Sequence, residues 1–506
     1  MRNKVLIIGG GMAGLSAGAY LQMNDYNTEI FELNSSPGGV CTSWKRGDYT
    51  VDLCLHWLVG SGEGEPLYDR WNELIEMDKL EIIDHEEYAR VEDEQGNCIR
   101  LFTNVDRLEA ELLEKAPEDK EEILEFIAAI RKFTHWEMEN DKAPELTNIW
   151  EKMKYFWKML PYMGVFGKFM RQSNETYAQN FKNPLLKKAI TNLFEPEMAV
   201  VFSMMTLAWM HNKNAGYPIG GSMRFAQKIA DRYEALGGKF HFNARVMKIL
   251  TKEDQAIGIE LENGEQYFGD YVISAADGYS TIYKMLEGKY LDEKLNHFYQ
   301  ANKTFPSLVF VALGLNRTFE NEPHSLYIPV NPALLIDPET TVDDLYVRIH
   351  NFDPTLAPKG KTLITFMLET FNYQYWMNLY QKDRAQYEAQ KERIAQALIE
   401  ALEQRFGNVR EKVEMVDVST PVTFINFTNN WKGSFEGWIW TPEIGFKPLS
   451  HSLPGLNRFY MCGHWVAVGG GVPTAMMSGR EAAQLICHED GKAFKIKPLR
   501  EKQIAL

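Results

Sequence analysis

The residue pattern with the clearest chemistry lies at the start of the chain, where Gly9, Gly11 and Gly14 follow four consecutive apolar residues, 5–8. A continuous apolar run suits a strand buried on both faces, and glycines at this spacing suit the turn from such a strand into a helix. Gly9 permits the turn, Gly11 lets the backbone approach a pyrophosphate seated on the helix N-terminus, and Gly14 lets the helix lie close to the sheet. Residues 28–31 read as a second strand with Glu32 at its end, where a carboxylate can take both hydroxyls of a ribose. Strand, glycines, helix and acid in that order predict a dinucleotide site. Just beyond, Gly38 and Gly39 again let a loop pass close to a phosphate or a ring. Near the far end, a strand at 459–462 runs into Gly463, and Gly469, Gly470 and Gly471 precede Val472 and Pro473 at the first turn of a last helix. A glycine loop at a helix N-terminus is a second seat for an anion or an electron-rich ring. Two such seats at opposite ends of the chain predict one long cofactor.

The elements that must position these residues are spread over 506 residues, long for one core, so two domains are expected with one interrupting the other. A net charge of -15 argues against nucleic acid as a partner, because phosphate binding needs a basic surface. Five scattered cysteines show neither CxxC pairs nor metal spacing, which fits reduced thiols in a cytoplasm. The first strand begins within a few residues of Met1, leaving no room for a cleavable signal peptide. Residues 80–115 read as hairpin strands around a polar turn at 93–97. Residues 118–139 read as a helix with Ile123, Phe126, Ile127, Ile130 and Phe133 on one face. A helix over 223–236 stops at Gly237 and Gly238, and strands follow at 240–242, 246–250 and 271–275. A strand at 307–315 and a helix at 384–406 belong to the second domain.

Two stretches stand apart. Residues 149–171 carry five Lys or Arg against one Glu, mixed with seven aromatic residues, the composition of an interrupted helix in a membrane interface or of a lid on the protein itself. Residues 198–210 form a helix apolar all round, which is either plain core or the adaptable, Met-rich wall of a cavity. At 13 residues it is too short to span a bilayer, so the chain is soluble or lies on a membrane surface.

Taken together, the glycine fingerprint with Glu32, Gly38-Gly39, Tyr217-Pro218-x-Gly220-Gly221, the run 270–277, the run 353–358 and the closing 463–479 resemble the FAD-dependent oxidoreductases that include phytoene desaturase, carotenoid isomerase and retinol saturase, within the flavin amine oxidase superfamily. The resemblance covers nearly the whole chain. It implies an α/β and α+β protein: a Rossmann-type FAD-binding domain built from 1–79, 212–285 and 441–506, and a substrate domain of mixed sheet and helices from 80–211 and 286–440. It implies non-covalent FAD, held by Gly9, Gly11, Met12, Ala13, Gly14, Glu32 and Leu33 at the ADP half, with Val246 meeting adenine through its backbone. Gly38, Gly39 and Val40 would lie beside the pyrophosphate and flavin, with Gly463, Gly471 and Val472 over the isoalloxazine. The implied reaction is hydride transfer between flavin N5 and a C-C bond of a long apolar, isoprenoid substrate, with desaturation, saturation and double-bond isomerisation all open. His56 is the first candidate for proton exchange with the substrate and His464 the second.

The sequence also departs from the family. Val40 stands where an arginine is usual, Cys54 replaces a glycine in 52–56, and His464-Trp465 is an unusual pair. Amine oxidation is the enzymatic alternative, although Ser307 stands where an amine oxidase places a lysine. A flavoprotein that only carries a prenyl lipid at a membrane is the non-enzymatic one.

Overall fold

The computed structural model describes residues 2–137, 141–445 and 449–499. Its first layer is a parallel sheet of five strands in the order Lys239–His241, Asn27–Phe31, Lys4–Ile8, Tyr271–Ser274 and Phe459–Met461. Val5, Leu6 and Ile7 are fully buried, as an interior parallel strand covered on both faces requires. The helix Met12–Met23 returns over one face, and all twelve of its residues are buried. Such burial needs small residues on the helix, and they are there: Ser16 donates to the Met476 carbonyl at 2.6 Å across a tight crossing with the last helix, Val472–Glu489. A side chain at Gly479 would meet the Ala13 carbonyl oxygen at 2.2 Å, so that crossing tolerates nothing larger than glycine. The opposite face of the sheet carries a three-stranded antiparallel meander, Val246–Lys252, Gln255–Leu261 and Gln266–Phe268.

A second sheet has seven strands in the order Val413–Ser419, Ser307–Leu315, Thr362–Thr370, Thr340–Ile349, Ser325–Asp337, Glu87–Glu92 and Cys98–Phe102. It is antiparallel except where Glu87–Glu92 runs parallel to Ser325–Asp337. The helix Arg384–Phe406 packs on it through Ile394, Leu398 and Leu402. Helices between 105 and 211 form a separate apolar cluster that closes the side of the molecule. Buried acids tie sheet to sheet. Asp353 accepts from Tyr217 Oη at 3.0 Å and from the Gly220 amide at 2.9 Å, and Asp52 accepts from the Ser222 amide at 2.8 Å.

Three local readings change. The segment 80–115 is a hairpin only as far as Phe102; Val105–Lys115 is a helix capped by Asn104, whose side chain accepts from the Asp106 and Arg107 amides. The helix expected over 118–139 runs from Lys120 to Phe133, and its expected end at Glu139 lies outside the described residues. In the apolar run 198–210, helix Val200–His211 buries Met204 and Met205 in the helical cluster, and it is Met198, Phe202 and Trp209 that face the large cavity.

Residues 149–171 become two helices, Ile149–Met159 and Met163–Phe169, broken at the turn Leu160–Tyr162 that contains Pro161. A capping box between Asn148 and Glu151 starts the first. Of the fifteen exposed large hydrophobic residues among those described, eight lie between Ile149 and Met163, with Trp150 74% and Trp157 64% exposed. No helix among the described residues is long and apolar enough to cross a membrane.

Candidate active site

One continuous cavity of about 830 Å³ runs from the ends of the parallel strands to the seven-stranded sheet. Its first end is made of backbone. Gly9 adopts φ +96° in the turn after the first strand, and Gly14 packs so tightly behind it that a Cβ would sit 2.0 Å from the Gly9 carbonyl oxygen. Gly11, at the helix N-terminus, has nothing nearer to a built Cβ than Gly39 Cα at 3.9 Å, so the space beside it is open on the cavity side. The loop carrying Gly38 (φ +112°) is held against that turn by a 2.9 Å bond from its amide to the Gly10 carbonyl.

Glu32 stands at the end of the second strand, 4% exposed. Oε2 accepts from the Gly10 amide at 2.6 Å, and Oε1 from the Asn34 amide at 2.8 Å and the Asn34 side chain at 3.0 Å. Burial raises its pKa and these donors oppose the rise. A carboxylate has about four acceptor positions, so one remains for a ribose hydroxyl. Leu33, Arg245 and Val246 line the same end.

At the middle of the cavity the C-terminal loop closes over from the other side. Gly463 (φ +100°) donates its amide to Ser478 Oγ at 2.9 Å, and Gly469, Gly470 and Gly471 all have positive φ before Val472 opens the last helix. Met12, Ala13, Gly39, Val40, Gly463, Gly471 and Val472 all border the cavity; of the residues expected to hold the cofactor, Gly14 is the one that lies behind the wall. These residues fit a flavin dinucleotide: an open cradle beside Gly11, an acid at the strand end, and a glycine loop with a helix N-terminus facing it.

The two histidine candidates differ. His464 donates from Nε2 to the Gly471 carbonyl at 3.0 Å, which fixes the tautomer and uses the ring as a brace for the glycine loop. Burial lowers its pKa, so it is neutral. His56 borders the cavity between Trp57 and Tyr346 and makes no hydrogen bond among the described residues. Burial, then the positive charge of Arg348, hold it well below the usual imidazole range.

The far end is built of side chains. Trp57, Phe194, Phe202, Tyr327 and Tyr346 supply most of an aromatic wall, and no lysine borders the cavity among the described residues. Ser307 is buried beside Gly433, with its hydroxyl unpartnered. Set into this wall are three carboxyls that the sequence reading did not single out: Glu195, Glu369 and Glu436. Burial raises all three; the charge of Glu369 adds to the rise at Glu195, and Glu436 is pushed up to about 7. They come from a loop before a helix, a strand end and a loop after a turn, so no spacing in the sequence announces them.

The profile of the flavin containing amine oxidoreductase family matches residues 12–487. This chain belongs to that family. It is an oxidoreductase and its cofactor is FAD. Among curated relatives it is 24% identical to prolycopene isomerase 2, chloroplastic, of an Oncidium hybrid cultivar, over 96% of this chain and 84% of the relative. It is 23% identical to a 4,4'-diapophytoene desaturase of a Methylomonas species (97% and 96%) and 24% identical to the neurosporene-forming phytoene desaturase of Rhodobacter capsulatus (96% and 94%). Among solved structures, a redesigned putrescine oxidase aligns with a TM-score of 0.63 at 14% identity, over 96% of this chain and 99% of that one. An oxidoreductase from Methanosarcina mazei aligns with a TM-score of 0.58 at 18% identity, over 95% and 99%. At those identities the family's α/β architecture is shared, with its Rossmann-type dinucleotide layer.

Proposed function

We propose that the protein transfers hydride between flavin N5 and a C-C bond of a long apolar, isoprenoid or carotenoid-like substrate. The observation that carries this is a single cavity joining the glycine cradle to a deep aromatic wall without a lysine among its described lining residues. Desaturases and an isomerase of carotenoids among the relatives support it. FAD, bound without a covalent link, supplies the hydride acceptor or donor; the protein's share is to hold it and to keep the reacting carbons dry. Gly9, Gly11, Met12, Ala13, Glu32, Leu33 and Val246 hold the ADP half, Gly38, Gly39 and Val40 the middle, and Gly463, Gly471 and Val472 the flavin, with Gly14 setting the helix behind them. The parallel sheet and its helices serve as the cofactor domain, the seven-stranded sheet and the helical cluster as the substrate domain. His464 braces the glycine loop, and His56 presents a neutral imidazole to the cavity. The paired helices from 149 to 169, basic and with exposed tryptophans, lie on a lipid surface from which such a substrate is drawn.

Amine oxidation is retained as a second reading because the three carboxyls set in the aromatic wall would also suit a cationic substrate. Anaerobic mixing of the yellow protein with phytoene, prolycopene, retinol or putrescine in detergent separates them: bleaching of the flavin by a polyene precursor, or isomerisation of prolycopene by the reduced protein, is the expected result. Rapid bleaching by the diamine alone would install the second reading. Replacing Lys152 and Lys154 by Ala should weaken liposome binding by about 1 kcal/mol per lysine at low salt; unchanged co-sedimentation would make the paired helices a lid.

A further inference from the structure

The carboxyls at the far end form an array with a direction. Glu369 is the last residue but one of the strand Thr362–Thr370, and it borders the same cavity as Glu195, which sits before the helix Val200–His211 and feels its charge. Glu195 in turn feels the charge of Glu436, which borders the cavity beside the glycine loop at the mouth of the last helix. The glycine loop makes room for this group: a Cβ on Gly470 would sit 2.2 Å from Glu436 Oε2. Burial and the charge of Glu369 both disfavour the anion of Glu195, so the pair keeps a proton that two solvated carboxyls would lose. An apolar substrate offers these acids nothing to bind. The array therefore calls for a use other than recognition.

We propose that Glu436 is the proton acceptor and donor of this active site, and that the Glu195–Glu369 pair is the reservoir that exchanges protons with it. The proposal rests on the C-C reading only for the identity of the carbon acid. In a desaturation, one substrate carbon gives up a hydride to the oxidised flavin and its neighbour gives up a proton to Glu436 Oε; the electron pair of that second C-H bond becomes the new double bond. In an isomerisation, the proton moves the other way and returns: Glu436 protonates one carbon of the polyene, the bond between cationic carbons rotates, and the same oxygen takes the proton back. Both balance without a further reagent.

The groups that face this array are few. Glu436 is met by Cys54 from the loop after the strand Tyr49–Asp52 and by Glu195, and the adjoining Gly437 packs on the backbone of His464. Tyr88 and Tyr327, whose hydroxyls donate to the Leu193 and Asn192 carbonyls, feel the charge of Glu195 from the sheet, and Tyr327 also feels that of Glu369. Glu197 adds a like charge from beyond the wall, where it pairs with Lys303 at 2.7 Å. Since burial holds Glu436 near 7, its carboxylate is the smaller fraction below neutrality and the larger above.

The test begins with infrared spectra of the FAD-loaded protein between pH 5 and 9, a readout independent of any substrate. A protonated-carboxyl band that disappears with a midpoint near 7 is expected, absent from Glu436→Gln and retained by Glu369→Gln. Glutamine keeps the size of the side chain packed beside Gly470, and equal FAD content in the variant checks that the loop stays in place. Turnover of phytoene or prolycopene in detergent, in deuterated water, is the second arm. Glu436→Gln should lower kcat on the order of a hundredfold at unchanged KM, and in the isomerisation of prolycopene deuterium should enter carbon with the wild type only. Glu436→Asp should recover part of the rate. Asp52 and Asp277, raised by burial to about 6, add a background that the variant shares, so a titration in Glu436→Gln identical in amplitude to the wild type, or wild-type kcat and pH profile in that variant, overturns the proposal. The band present with no turnover of either polyene overturns the substrate reading and leaves the titrating carboxyl standing.

Discussion

Two glutamates border one cavity, Glu32 at its cofactor end and Glu436 where the glycine loop meets the aromatic wall, and they are held in opposite ways. Glu32 accepts three hydrogen bonds, from Gly10 and twice from Asn34, while Glu436 lies against Gly470 in the glycine loop and is raised by burial. The first is a fixed acceptor in a cradle of backbone, and the second is a group free to gain and lose a proton in an aromatic wall. Backbone donors satisfy a carboxylate and keep it in one role, whereas desolvation without such a set of donors brings its titration toward neutrality. The cofactor end thus works by shape and dipoles, and the substrate end by side-chain chemistry. A mutation at the first should act on folding or FAD, and one at the second on pH dependence and substrate choice.

The largest expected effect separates two glycines of the same turn. Gly14→Val drives a side chain into the Gly9 carbonyl and should cost about 3 kcal/mol or more of stability, with loss of FAD. Gly11→Ala meets no protein atom closer than 3.9 Å and should leave the melting temperature of the FAD-free protein unchanged while FAD binding falls. Equal melting losses in both would erase the distinction between packing and cradle.

Next comes pH. The Glu436 pKa is raised by burial from 4.5 to about 7, so the folded state holds a proton that the unfolded chain releases first. This contribution is fully present below about pH 4.5 and is lost as pH rises through about 7. Glu436→Gln should therefore gain up to about 3 kcal/mol relative to wild type between pH 4.5 and 8, read by urea titration. A pH-independent difference would place the carboxyl in an ordinary solvated setting.

Glu32→Ala is expected to weaken FAD by about 1 to 3 kcal/mol, the scale of a charge-assisted bond, with no change in pH profile. A flavin titration measures it. Smallest is the effect of Met198→Trp on the cavity wall, a several-fold slowing of long polyenes relative to short ones at constant FAD content. If long and short substrates slow alike, the helix Val200–His211 and its approach do not border the path.

Much of the first end was legible. The strand Lys4–Ile8, the helix after it and Glu32 at the close of the next strand follow from apolar run, glycine spacing and acid within 32 residues. The strand Ser307–Leu315 and the helix Arg384–Phe406 stand where composition and periodicity predict them. Val105–Lys115 was missed although Asn104 is a good cap, because the preceding alternation carried the hairpin reading too far. In 198–210 the apolar pattern could not say which residues turn to the cavity, since a helix buried all round has no face to read.

What the sequence determined by itself is the part whose parts are local: a phosphate cradle is made by consecutive backbone amides, so its residues must be neighbours in the chain. The carboxyl array was decided only by the tertiary structure. Glu195, Glu369 and Glu436 are separated by 174 and 67 residues. They meet because the seven-stranded sheet, the apolar helix and the glycine loop converge on one cavity, and a carboxyl in isolation carries no mark of whether water or an aromatic wall will surround it. Burial sets its pKa, and burial is a property of the packed fold.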